Sequence, residues 1–179
     1  MIEFVVEDGT GLDNATSYVS VDEFKQYAEN NGYDITALDT DASIQVLLNK
    51  STFVIDSTYM SVFPGYRGSS EQTLEFPRVD AFYIDGYTIK SDEVPKEIKN
   101  AVCEMAFLKF NGIDLQPVLE KSGSLRSEMV QVDVIKEAKE YFSGTDYDRD
   151  VLLVVEDALA RITGGVSALY KLNIIRVGG

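Results

Sequence analysis

The densest group of potential ligands is Asp146-Tyr-Asp148-Arg-Asp150, alternating carboxylates with Asp157 at the twelfth position counted from Asp146. A calcium loop opens this way, with oxygen ligands at alternate positions and a closing carboxylate at the twelfth. Val151 stands where such a loop needs Gly for its sharp turn, and Asp157 is shorter than the bidentate Glu that closes it. Asp148 and Asp150 also suit a helix N-terminus, where negative charge is favourable, and the sequence favours that second reading. Asp8-Gly-Thr-Gly11 offers Gly-x-Gly without the third Gly of a dinucleotide loop, and no Gly-Lys-Ser/Thr phosphate loop occurs. A Gly-rich turn leading out of a first strand is the simpler expectation there. Cys103 has no His to generate a thiolate, because the chain contains none, so it reads as a small core residue. The absence of His excludes His-metal sites and His-assisted nucleophiles as well. A glycosidase-like carboxylate pair is conceivable, but nothing selects two of the 30 acids, and there is no Trp to form a sugar platform. The sequence therefore points to no enzyme, no metal and no cofactor.

A different kind of cluster occupies the middle of the chain. Tyr59, Phe63, Tyr66, Phe76, Phe82, Tyr83 and Tyr87 lie close to Arg67 and Arg78. They could stack the bases of a single-stranded nucleic acid, or pack a loop-rich segment or a subunit interface. Charge decides between these. The 179 residues carry 16 Lys+Arg against 30 Asp+Glu, net −14, and such a surface repels phosphate backbones. The packing reading is favoured.

The elements that must position these residues follow from periodicity. Ser20-Val-Asp-Glu23 has the form of a capping box and opens a helix that Asn31-Gly32 stops. A second helix starts near Thr40 or Asp41 and ends near Tyr59, with Ile44, Leu47, Leu48 and Ile55 on one face. A third opens at Pro95, lines up Ile98, Ala101, Val102, Met105 and Leu108, and ends at Asn111-Gly112. A fourth spans about Asp148 to Thr163, with Leu152, Val155, Leu159 and Ile162 at spacings of three and four. Residues 63–92 read as loop with short strands and a hairpin turn at Asp85-Gly86. Met129 to Ile135 alternates as an exposed strand does, within a strand region at about 124–142. The fold class is mainly α, a bundle of about four helices with a few short strands. One domain covers 1–163, and 164–179 forms an extended C-terminal arm.

Length and composition fit one globular domain of 19.9 kDa. No segment is apolar enough over about 18 residues to suggest a membrane span. The opening Met-Ile-Glu-Phe lacks the basic region of a signal peptide, so the sequons at Asn14 and Asn49 read as chance. The single Cys permits no internal disulfide. Charge falls unevenly: residues 1–60 hold 11 acids and 2 bases, whereas residues 121–179 hold 9 and 8. A subunit acidic at one end can pair head to tail with copies of itself, although plain solubility explains the charge equally well.

The order of motifs resembles a known family. Val6-Glu-Asp-Gly-Thr-Gly-Leu12 followed by Ser17-Tyr-Val-Ser20 is similar to the opening of tailed-phage head–tail connector (adaptor) proteins, many of them labelled DnaT-like single-stranded-DNA-binding. Gly65-Tyr-Arg-Gly68, Leu74-Glu-Phe-Pro-Arg78, Pro95-Lys-Glu-Ile-Lys-Asn-Ala101 and the strand at Met129 to Ile135 continue the likeness from about residue 5 to 163. Phe76 stands where the family usually has Trp, which keeps the aromatic anchor and loses an indole donor. The resemblance implies a structural virion protein at the head–tail interface, made in the host cytoplasm. It implies a dodecameric ring under the portal protein, a downstream tail partner, and duplex DNA passing through without specific binding. The alternative, carried by the family label, is a single-stranded-DNA-binding module. Leu169, Tyr170, Lys171, Leu172, Ile174, Ile175 and Arg176 in the arm are the expected contacts to portal or a neighbouring subunit. They suit an added strand, and no acid occurs after Gly164. The competing expectation is that this strand completes the subunit's own sheet.

Overall fold

The structure, a computed structural model, describes residues 3–113 and 145–165. Helix α1 (Val21–Asn31) begins as its capping box dictates: the Glu23 amide donates to Ser20 Oγ, and the Ser20 amide donates to the Glu23 carboxylate at 2.8 Å. Gly32 ends it with φ of 71°, a left-handed turn that a side chain would strain. Helix α2 (Asp41–Tyr59) is capped by Thr40, whose hydroxyl accepts from the Ser43 amide. Helix α3 (Lys96–Phe110) follows Pro95 at its cap, and α4 runs Thr145–Thr163. The last starts three residues earlier than its periodicity suggested, so Asp148 sits inside the first turn rather than at the boundary.

Helix α3 is the axis of the core. Ile98, Ala101, Val102, Cys103, Met105 and Ala106 are buried around most of its circumference, because α1, α2 and α4 all pack against it. Helix α2 contributes Ile44, Leu48, Ile55 and Tyr59, and α4 contributes Val155, Leu159 and Ile162. Burying each large side chain stabilises by about 1.5–3 kcal/mol. Leu47 and Leu108, expected on the core stripes, are only partly buried at its edge.

The strands are minimal. Strand β1 (Tyr66–Arg67) pairs antiparallel with β2 (Arg78–Val79), Tyr66 opposite Val79 and Arg67 opposite Arg78. The hairpin at Asp85-Gly86 is present: Phe82 bridges Thr88, the Tyr83 amide donates to Tyr87 O, and Gly86 has φ of 86°. The expected first strand before the Gly-rich turn is instead an isolated parallel bridge between Val6 and Ser17. Its cause is local, because the following residues turn inward around Glu7 and leave no extended partner. The strand region at 124–142 lies outside the described residues, as does the arm from residue 166 onward, including Leu169, Tyr170, Lys171, Leu172, Ile174, Ile175 and Arg176.

Candidate functional site

The aromatic cluster divides into an inward half and an outward half. Phe76 is fully buried, edge-on to Phe63 at 5.1 Å and to Tyr18 at 6.4 Å between ring centroids. The Tyr18 hydroxyl accepts from the Phe76 amide and donates to Asp56 at 2.8 Å, while the Glu75 amide donates to the other Asp56 oxygen at 3.0 Å. Burial, aided by the nearby Glu75 carboxylate, outweighs these hydrogen bonds and Arg78 and raises the Asp56 carboxyl to about 7. Burial and the Asp56 charge in turn push the Tyr18 phenol well above its usual range.

Arg78 closes this half. Its guanidinium donates to Pro64 O at 2.7 Å, to Gly65 O at 2.8 Å and to Glu75 Oε2 at 2.6 Å, and lies about 6 Å from the Phe63 and Phe76 ring centres. The Phe-Pro-Arg motif, with a cis peptide at Phe76-Pro77, thus ties the exit of α2 to the sheet. Gly65 is required at that junction: its φ is positive, and a Cβ would stand 2.2 Å from Val79 O. Gln72 is buried and joins Leu74 O, Pro77 O and the Ser69 amide. The Glu-Asp-Gly-Thr-Gly motif is equally internal. Buried Glu7 accepts from the Gly9, Gly11 and Leu12 amides, each at 2.9 Å, so the loop wraps a carboxylate from its own chain. Here the backbone amides hold an internal anion, where a nucleotide loop would hold phosphate.

The outward half is apolar. Tyr66, Phe82, Ile84 and Tyr87 are exposed, and the hairpin tip is held by α4: the Ile84 amide donates to Arg161 O, and Arg161 stacks on Tyr83 and pairs with Asp85 and Glu97. Along α2 and its C-cap, from Ser43 onward, the exposed residues are Ser43, Val46, Lys50, Phe53, Ser57 and Met60. They recur at alternating spacings of three and four, the pattern of a helix seam, with Val46, Phe53 and Met60 seven apart. Phe53 is 66% exposed. An open groove of about 700 Å³ runs beside Met60, Tyr66, Arg67 and Glu75.

Several basic side chains of the described residues are engaged within the chain. Lys25, Arg78, Lys90, Lys99 and Arg161 are held in ion pairs with Asp41, Glu75, Glu93, Glu23 and Asp85 respectively. Arg67 donates to Gln72 O.

The Asp146–Asp157 segment lies within α4 and so does not form a twelve-residue loop. Cys103 is buried, and burial, with Glu23 and Glu104 nearby, pushes its thiol up to about 12. Sequence reasoning missed Asp56, Gln72 and the outward α2 row. The row had a readable signal, the seven-residue spacing of Val46, Phe53 and Met60, hidden by the stronger core stripe on the opposite face. Asp56 and Gln72 had none, because their partners lie in other segments.

Residues 2–177 match the model of a family described as "Putative DnaT-like ssDNA binding protein". The match reaches into the segment after Gly164, further than the motif likeness ran. No curated protein and no solved structure matches the chain.

Proposed function

The chain belongs to this DnaT-like family, and on that premise we propose that it is a structural virion protein, a head–tail adaptor whose ring joins the portal to downstream tail components and leaves a channel for the genome. The observation that carries the reading is the composition of the exposed surface. Apolar side chains stand outward on α2 and on the hairpin tip, while five basic side chains of the described residues are held in ion pairs within the chain. Exposed apolar patches suit contact with protein. An acidic wall also repels duplex DNA, so a genome slides past without specific binding. The reading places the protein at the head–tail interface of the virion, after synthesis in the host cytoplasm, with no catalytic role. Residues 167–179 serve in it as an arm that adds a strand to portal or a neighbour.

The second reading is single-stranded-DNA binding. The family's description names it more directly than it names the first, and exposed Tyr66, Phe82 and Tyr87 with Arg67 give it a stacking surface. Two measurements separate the readings. Electron microscopy of the purified protein with portal protein tests for a ring seated on the portal. Fluorescence anisotropy with an oligonucleotide across a salt series tests for DNA binding. The adaptor reading expects a ring and negligible salt-dependent affinity. Tight oligonucleotide binding that weakens steeply with salt, without portal binding, overturns it. Deleting 167–179 locates the arm's role: an unchanged melting temperature with lost portal binding supports assembly, whereas unfolding assigns the segment to the subunit's own core.

A further inference from the structure

We infer that the outward row of α2 packs against the outward face of α4 in a second copy of this chain, making a head-to-tail contact between unlike surfaces. The inference deepens the ring of the proposed adaptor and rests on that ring for closure.

Both faces are exposed in the single chain. Helices α2 and α4 each pack against α3. On α2 the buried row Ile44, Leu48, Ser51, Ile55 and Tyr59 lies opposite the exposed row Val46, Lys50, Phe53 and Met60. On α4 the buried row Val155, Leu159 and Ile162 lies opposite Leu153, Val154 and Asp157. Leu153 and Val154 are each 45% exposed, among the few large apolar side chains so placed.

Charge selects the partner. Between residues 42 and 60 the only carboxylate on α2 is the half-buried Asp56, turned to Tyr18, so the outward row carries a single charge, Lys50. Lys50 makes no ion pair among the described residues. The α4 face presents Asp157, likewise unpaired among them, one turn beyond Leu153 and Val154. The rows match in spacing when the two helices run antiparallel: Lys50 and Phe53 are three apart, as are Val154 and Asp157. Packing α2 on a second α2 sets Lys50 near its own copy, and α4 on α4 sets Asp157 near its own. Unlike pairing neutralises both. It also buries Phe53 against Leu153 and Val154, which supplies more of the attraction than an exposed ion pair does. A contact between unlike surfaces repeats around a closed ring, whereas a like-with-like contact ends at a dimer.

The test uses the full chain. Phe53→Cys and Val154→Cys are made separately, mixed, and oxidised gently; native Cys103 is buried and stays out of the reaction. Mixed dimers linked between 53 and 154 are expected, with few dimers of either variant alone. A charge exchange supplies the second arm. Lys50→Asp and Asp157→Lys each weaken self-association in sedimentation by about tenfold, a factor that corresponds to about 1.4 kcal/mol, and the double variant restores it. Predominant 53–53 dimers overturn the inference in favour of a two-fold α2 contact. Failure of the double variant to recover overturns the pairing. Absence of self-association by the unaltered chain up to its solubility limit overturns the contact, while portal binding tests the adaptor reading separately.

Discussion

The inner and outer sides of α2 do opposite things with opposite residues. Toward the chain's interior the helix offers Asp56, which grips the loop carrying Phe76 through the Tyr18 hydroxyl and the Glu75 amide. Toward solvent it offers Val46, Phe53 and Met60. The residues that look like site chemistry are thus spent on holding the fold, and residues that look like core are left outside. A carboxylate is costly to bury, so its presence inside requires the donors around it. Exposed apolar residues gain nothing within the subunit, so their regular spacing points to contact beyond it.

The contrast can be broken by substitution, beginning where the effect is largest. Met105→Asp places a charge in the most enclosed part of α3 and should abolish folding, read as loss of the cooperative thermal transition by circular dichroism. A variant that still melts cooperatively near the parent temperature would refute the placement of the core. Next come two phenylalanines. Phe76→Ala should cost about 3–5 kcal/mol in denaturant unfolding, whereas Phe53→Ala should stay within about 0.5 kcal/mol. Equal costs would erase the distinction between the faces.

Asp56 sharpens the inward side through pH. Its folded value, about 7, lies above the unfolded value near 3.8, so the fold favours the protonated form. That contribution is complete below about pH 4 and is lost as pH rises toward and through 7. Relative to Asp56→Asn, the natural chain should therefore lose stability between pH 4 and 8, and parallel melting curves at several pH values measure the gap. A gap that stays constant with pH would mean the carboxyl is not penalised by burial. The smallest effect belongs to Ser20→Ala, about 1 kcal/mol from the lost cap, detectable as a modest drop in melting temperature. No change would indicate that α1 begins elsewhere.

Much of the fold was legible because it rests on local rules. The capping box at Ser20, the stops at Gly32 and Gly112, and the core rows on α2, α3 and α4 are each written within a few residues. The hairpin at Asp85-Gly86 is likewise local. The site was less legible because its joints are long-range. Tyr18 and Asp56 are 38 residues apart, and Tyr27 and Glu104 are 77 apart, so neither partnership leaves a pattern in either segment. The Gly-rich opening is the turn the sequence suggested, although the strand before it reduces to a single bridge. The anion its glycines surround is Glu7, two residues upstream of the first of them. The aromatic middle reads as packing within the chain or at a subunit interface; Tyr59, Phe63 and Phe76 pack within the chain, and Tyr66, Phe82 and Tyr87 stand exposed on it.

The bond between Arg161 and the hairpin also sets an order of events during synthesis. Asp85 leaves the ribosome 76 residues before the arginine that fixes it. Throughout that interval the segment bearing Phe82, Ile84 and Tyr87 has no anchor on α4, because α4 does not yet exist. The tip's bonds to α4 therefore form only once that helix has been made and docked. A chain cut short before Arg161 carries the same tip residues without those bonds.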